Sequence, residues 1–297
     1  MTPLANSTKL TLFTLASGRS GTSYLADFFS RNVRQCYSTH EPYLVPGNPV
    51  LFGKPIDWNT QHNDKSLLPV LERKCVFIAK CKAPVYFESS HAFLKAFGRH
   101  AGAFLNNAGF VHLVRHPAMV AKSELLREQL IRRIHLPFTD YTSDTGERYF
   151  RWALTGKEDI FRYYAGLTHT QTHTLSRFQF YLLQWIEIEY RAMQLIKQNQ
   201  WQDRVFFIDV NAQLKDDAVL KQMLGFFDLP HEPRLNLHLR RNRTPFVGPT
   251  VITAQDEREV QWVLKNLPVA YKAMLKDEPY SRCLGWEAFR QYLDSAD

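Results

Sequence analysis

The chain has 297 residues, 45% of them hydrophobic, enough to bury a full core; α/β folds of this size form one unit, so a single domain over 1–297 is expected. Lysine and arginine number 37 against 29 aspartates and glutamates, and the net charge of +8 suits a partner carrying several phosphates or sulfates. With no Lys/Arg-rich tail and no repeated basic-aromatic module, nucleic acid is not expected as a partner.

The first predicted element is a strand at 10–16, which runs through Ser17-Gly18-Arg19-Ser20-Gly21-Thr22-Ser23 into a helix from about Thr22 to Arg31 with Leu25, Phe28 and Phe29 on one face. Gly18 and Gly21 let the backbone curl until successive N–H groups share one concavity, and the positive end of the helix dipole faces the same place. Thr22 and Ser23 add hydroxyls, and Arg19 adds a charge. The competing reading is an ordinary turn whose Ser or Thr caps the helix. Next come Tyr37-Ser38-Thr39-His40-Glu41-Pro42-Tyr43, an extended segment in which adjacent side chains point to opposite faces, so that one of His40 and Glu41 lines any site there.

From Pro46 to Pro69 the chain is rich in Pro, Gly, Asn and Asp and reads as a loop without a clear period. Cys75–Lys80 reads as a short apolar strand running into Cys81-Lys82-Ala83-Pro84-Val85-Tyr86-Phe87. A second strand-turn-helix follows at 110–123, where Arg115 ends the strand and Ser123 lies eight positions on. These two residues converge on one anion only if the helix packs back against its strand, at the end of a parallel sheet where ligands sit. Taken singly, each reads more simply as a surface ion pair or a helix passenger.

The segment 136–174 loses its period and carries many aromatics and histidines; it reads as a helical lid whose rings mostly pack in the core. A long amphipathic helix at about Ser176–Gln198, a strand at Arg204–Asp209, a helix at Asp216–Phe227 and closing helices at about Gln255–Leu267 and Val269–Leu275 complete the chain, with a basic turn at His238–Pro245 between them. The four cysteines have no metal-ligand spacing and read as reduced and structural. No leader-like start and no run of about eighteen apolar residues is found, so no transmembrane segment is expected.

Arg19-Ser20-Gly21-Thr22-Ser23 followed by the ordered pair Arg115 and Ser123 resembles the nucleotide-binding signature of the sulfotransferases that use 3′-phosphoadenosine 5′-phosphosulfate (PAPS). Arg at position 19 is closest in style to the bacterial and carbohydrate branches. The resemblance implies an α/β fold, a P-loop-like parallel sheet flanked by helices, in which the loop from Ser17 to Ser23 holds the 5′ phosphosulfate and Arg115 and Ser123 hold the 3′ phosphate. It also implies a general base shortly after the first helix, Glu41 by preference and His40 as the alternative. Lys82 falls on a lysine that lies beside the transferring group in the heparan-modifying branch. Arg240, Arg241 or Arg243 falls where related enzymes return a loop over the 3′ phosphate.

The reaction implied by the resemblance is in-line transfer of a sulfuryl group from PAPS to an acceptor hydroxyl on a sugar, glycolipid or other metabolite, with adenosine 3′,5′-bisphosphate as product and no metal. The location expected for such a chain without an anchor is cytoplasmic, and a homo-oligomer is compatible with it. Two other readings stay open: a P-loop nucleotide kinase, although the loop lacks Gly-x-x-x-x-Gly-Lys-[Ser/Thr], and a protein that binds nucleotide or sulfated ligand without catalysis.

Overall fold

The computed structural model describes residues 9–42, 45–105, 107–170, 174–237 and 250–294, apart from the side chains of 168–170. Strand β1 (Leu10–Ala16) leads into α1 (Thr22–Asn32) and β2 (Cys36–His40). Helices α2 (Lys54–Thr60) and α3 (Asp64–Lys80) precede β3 (Val85–Ser89), and a π turn at Phe93–Phe97 runs on to α4 (Ala101–Phe104) and β4 (Ala108–Val114). Then come α5 (Pro117–Arg133), the short strands β5 (Asp140–Thr142) and β6 (Arg148–Phe150), α6 (Asp159–Thr170) and α7 (Arg177–Gln198). Strand β7 (Val205–Asp209), α8 (Asp217–Phe226), α9 (Ala254–Lys265), α10 (Val269–Lys276) and α11 (Glu287–Asp294) close the chain.

The main sheet has the order β2-β3-β1-β4-β7 with every neighbouring pair parallel, so the expected α/β class with a parallel sheet flanked by helices is what the chain forms. Its three inner strands β3, β1 and β4 are buried on both faces, which is why β1 and β4 read as apolar runs, whereas the edge strand β2 is half-exposed. Alternation sorts the side chains: Phe13, Leu15, Tyr86, Phe110 and Val114 face one core with α3, α5 and α7. Leu12, Ala16, Phe87, Val111 and Leu113 face the other with α1 and α8, where Phe29 and Phe87 stack at 3.8 Å.

The chain leaves β1 toward α1 on one face and leaves the adjacent β4 toward α5 on the other. That divergence opens a crevice beyond the strands' carboxyl ends. Helix α7, capped by reciprocal hydrogen bonds between Ser176 and Gln179, packs under the sheet with Leu182, Leu183, Trp185 and Ile186 fully buried.

Three stretches fold differently from their sequence reading. The expected loop at 46–69 contains α2 and the start of α3; Pro55 sits in the first turn of α2, and the Asn63 side chain caps α3 by accepting from Ser66 N. The expected strand at Cys75–Lys80 is the last part of α3. Its buried residues Leu67, Val70, Leu71, Lys74, Cys75 and Ile78 recur at helical spacing, and Pro69 forfeits one hydrogen bond without ending the helix. The expected helical segment at 136–174 begins instead as the antiparallel hairpin β5–β6, turning at Gly146, before α6. Lys74 itself is buried between Asn48 Oδ1 at 2.8 Å and Glu88 Oε2 at 2.5 Å, which ties α3 to β3.

Candidate active site

The turn after β1 is built to stay open at its centre. Ser17 and Ser20 hydroxyls hydrogen-bond to each other at 2.8 Å beneath it, and Arg19 and Gly21 take positive φ values of 65° and 83° to curl the backbone. A Cβ on Gly21 would also stand 2.5 Å from Leu214 Cδ2. No side chain caps α1 and no acidic residue lies in its first turn, so the leading N–H groups of the helix face the crevice.

The second strand-turn-helix closes on the first. Arg115, just past β4, donates from Nη1 to the Arg19 carbonyl at 2.8 Å, and Arg19 Nε donates to Ser123 Oγ, two turns into α5, at 3.0 Å. The two predicted motifs therefore meet at Arg19. Burial lowers the pKa of both guanidiniums, and Arg19 lowers that of Arg115 further. Two crowded, desolvated cations gain from an incoming anion.

Around them lies a cleft of about 410 Å³. Tyr24, Val210 and Leu214 line it on the Gly21 side, and Glu124 and His91 stand against Gly18, with Arg127, Glu41, His40 and Lys215 completing the wall. The expected residues Gly18, Arg19, Gly21, Thr22, Ser23, Arg115, His40 and Glu41 all line it, while Ser17, Ser20 and Ser123 support it from beneath or beside.

His40 and Glu41 both reach the cleft, contrary to the expected alternation. Glu41 lies just past β2 with a φ of 44°, so the extended geometry that would separate the two side chains has already ended. His40 Nδ1 bonds the Ser89 carbonyl at 2.9 Å, which makes Nδ1 the protonated nitrogen. Glu41 Oε1 is 3.1 Å from His91 Nε2 and 3.9 Å from His40 Nε2. Burial alone would raise the Glu41 carboxyl; His91, His40 and Arg127 outweigh it and hold the group down to about 2.

Lys82 does not reach this site. It precedes β3, at the amino ends of the parallel strands, and lines a different cleft of about 1140 Å³ with Arg73, Lys80 and Tyr37. The catalytic role that the family resemblance implied for it is corrected by that placement, because the cleft with Arg19 and Glu41 lies at the opposite, carboxyl ends of the strands. Arg240, Arg241 and Arg243 lie outside the described residues.

Several chains of known structure are similar to this one, among them the following three. A sulfotransferase from Alicyclobacillus acidocaldarius has a TM-score of 0.49 and 11% identity, covering 90% of this chain and 94% of its own. The sulfotransferase domain from the curacin biosynthetic pathway has 0.46 and 13%, over 97% and 96%. The sulfotransferase domain of the Synechococcus PCC 7002 olefin synthase has 0.45 and 13%, over 98% and 94%. No protein-family model and no curated protein matches the chain. Likeness at this level assigns no activity, so function rests on the cleft itself.

Sequence reasoning missed four ionisable residues of the cleft. His91 follows the carboxyl end of β3, beside the Gly18 turn. Glu124 comes directly after Ser123, and Arg127 is one turn further along the same face of α5, 2.7 Å from Glu124 Oε2. Burial would raise the Glu124 carboxyl, yet Arg127, His91, Lys95 and Arg19 together hold it low. Lys215 follows Leu214 beyond β7. The helical spacing of 123, 124 and 127 was the available signal.

Two buried histidines make stability depend on pH. Burial pushes His91 and His116 down to about 4 from the usual 6.5, helped by Lys95 and Arg115 respectively. Between those values the unfolded chain binds more protons than the folded one, so their contribution is complete above pH 6.5 and is lost as the pH falls to about 4. Scanning calorimetry should therefore find a Tm that falls across this window; a flat Tm would contradict the burial of both rings.

Proposed function

We propose that this chain is a sulfotransferase that moves a sulfuryl group from PAPS to an acceptor hydroxyl by in-line displacement. The observation that carries the reading is the junction at Arg19, where an uncapped helix N-terminus and two half-buried guanidiniums surround one cleft that holds a carboxylate as well. The residues fit a donor with phosphate groups at two positions. The leading N–H groups of α1, with Thr22 and Ser23, would take the 5′ group; Arg115 and Ser123 would take the 3′ phosphate. Tyr24, Val210 and Leu214 offer apolar surface for a base. Bound there, PAPS supplies an activated sulfuryl group.

Glu41 accepts the acceptor's proton as the O–S bond forms and the bond from sulfur to the phosphate oxygen breaks. A carboxylate with a pKa of about 2 is a weak base toward a resting hydroxyl. Its task comes late, when bond formation has made that hydroxyl acidic, and a polyanionic donor in the same cleft raises its pKa toward the working range. Arg19 and the turn's N–H groups face the charge that builds on the departing phosphate. The acceptor belongs to the hydroxyl compounds: a sugar, a glycolipid or another small metabolite.

A thermal shift series tests the donor without knowledge of the acceptor. Adenosine 3′,5′-bisphosphate at about a hundred times its Kd should stabilise the protein by roughly 2.7 kcal/mol, whereas AMP should need far higher concentrations. Arg115→Ala removes a charge-assisted bond of about 1.5–3 kcal/mol and should bring the bisphosphate close to AMP. A response to ATP with magnesium alone would transfer the cleft to phosphoryl chemistry. Unchanged bisphosphate affinity in Arg115→Ala would detach that residue from the 3′ phosphate.

A further inference from the structure

Beneath Glu41 runs a hydrogen-bonded line that the transfer mechanism leaves unused. Lys95 sits in the π turn that follows β3, four residues after His91, with its side chain fully buried. Its Nζ lies 3.0 Å from His91 Nδ1 and also donates to the Trp152 carbonyl. The other nitrogen of the same ring, Nε2, lies 3.1 Å from Glu41 Oε1. Burying a lysine is costly unless its hydrogen bonds are placed with purpose, and π turns recur at functional positions.

The protonation pattern along this line follows from its two ends. Glu41 is ionised and only accepts; a lone pair on His91 Nε2 would repel it. The His91 proton therefore sits on Nε2, Nδ1 is left as an acceptor, and the Lys95 ammonium fills it. One carboxylate oxygen of Glu41 is thereby held, while Oε2 has no hydrogen bond among the described residues.

We propose that Lys95 is the positioning residue for the base: it fixes His91 as the Nε2–H tautomer, and that N–H orients Glu41 so that its free oxygen meets the acceptor. The kinetic part of this inference rests on the sulfotransferase reading; the tautomer part does not. The neutral His91 ring on its own segment faces Lys95, and the charged groups around it are Glu41 beyond β2, Glu124 and Arg127 on α5, and Arg191 on α7. Burial brings its pKa down to about 7, assisted by Arg127 and Arg191 and opposed by Glu124 and Glu41. With the ammonium present beside it, His91 is kept from taking a second proton, which would tie up Glu41 as an ion pair.

The test has a spectroscopic arm and a kinetic arm. Nitrogen-15 NMR of the unmutated protein should show His91 protonated on Nε2 alone at neutral pH. In Lys95→Met the ring loses both its donor and its cationic neighbour, so its titration midpoint should rise from about 4 toward 6.5 and the acid limb of kcat should move up with it. In the same variant kcat should fall about tenfold or more while KM for PAPS and the thermal shift with the bisphosphate stay as they were. Lys95→Gln, which still donates to Nδ1, should keep more of kcat than Lys95→Met. An Nδ1–H tautomer in the unmutated protein would overturn the proposal even if no variant folds, as would a Lys95→Met protein with unchanged kcat and pH profile. Absence of any sulfuryl transfer by the unmutated protein would sink the sulfotransferase reading instead, with the tautomer still measurable.

Discussion

Replacing Glu41 by Gln should lower kcat for sulfuryl transfer by about 10²–10⁴-fold while leaving the affinity for adenosine 3′,5′-bisphosphate nearly unchanged. The substitution keeps the size of the side chain and its carbonyl oxygen, so the amide still accepts from His91 Nε2, 3.1 Å away in the unmutated protein. What it loses is the capacity to take a proton. The comparison that matters is with His40→Ala. His40 is anchored through Nδ1 to the Ser89 carbonyl, which leaves its Nε2 facing the cleft as a second basic nitrogen. A profound loss in Glu41→Gln with a small one in His40→Ala assigns the proton to the carboxylate. The reverse ranking moves the base to His40, and two small losses remove both.

Gly18→Val should abolish the response to the bisphosphate. A Cβ at this position collides with Glu124 Oε1 and comes within 3.6 Å of His91 Nδ1. Glu124 is not free to retreat, because it is fully buried and paired with Arg127 at 2.7 Å. Pulling a buried carboxylate from its partner costs about 3–5 kcal/mol, so the turn moves instead, and with it the N–H groups that face the anion. Differential scanning fluorimetry with and without ligand separates the two effects: a lowered Tm records the strain, and the missing ligand shift records the displaced turn. Adding Glu124→Ala makes room for the branch and should restore part of the ligand response. A Gly18→Val protein that still responds normally would show that this turn is not where the anion rests.

The parts of the site that were legible share one property, that their signal is local. Strand, turn and helix follow one another within fifteen residues around Arg19, where the turn carries Gly18 and Gly21, and again around Arg115, where it carries Pro117, and periodicity with turn chemistry suffices to place them. Lys82 and His91 mark where that kind of signal ends. The apolar run Cys75–Lys80 fits a buried strand as well as the last turns of a helix, and only the packing of Leu67, Val70, Leu71 and Ile78 into one core decides for the helix. Once the strand is moved to Val85–Ser89, its carboxyl end delivers His91 to the cleft and leaves Lys82 at the far edge. His40 and Glu41 fail the alternation rule for a different reason. The rule holds inside a strand, and Glu41 is the first residue beyond one.

Arg115 holds a backbone carbonyl of the neighbouring turn rather than a carboxylate, and that choice gives the cleft a property its charges do not. In the proposed donor site, the separation of the two anion seats follows from the spacing of adjacent strands, about 4.8 Å at β1 and β4, and from one guanidinium bridging the turns beyond them. The pair acts as a caliper with a locked jaw. On the proposed reading, a nucleotide whose two phosphates are spaced for another frame would bind poorly, however well its charge matches. Selection among nucleotides of equal charge would then fall to length, with the backbone doing the measuring.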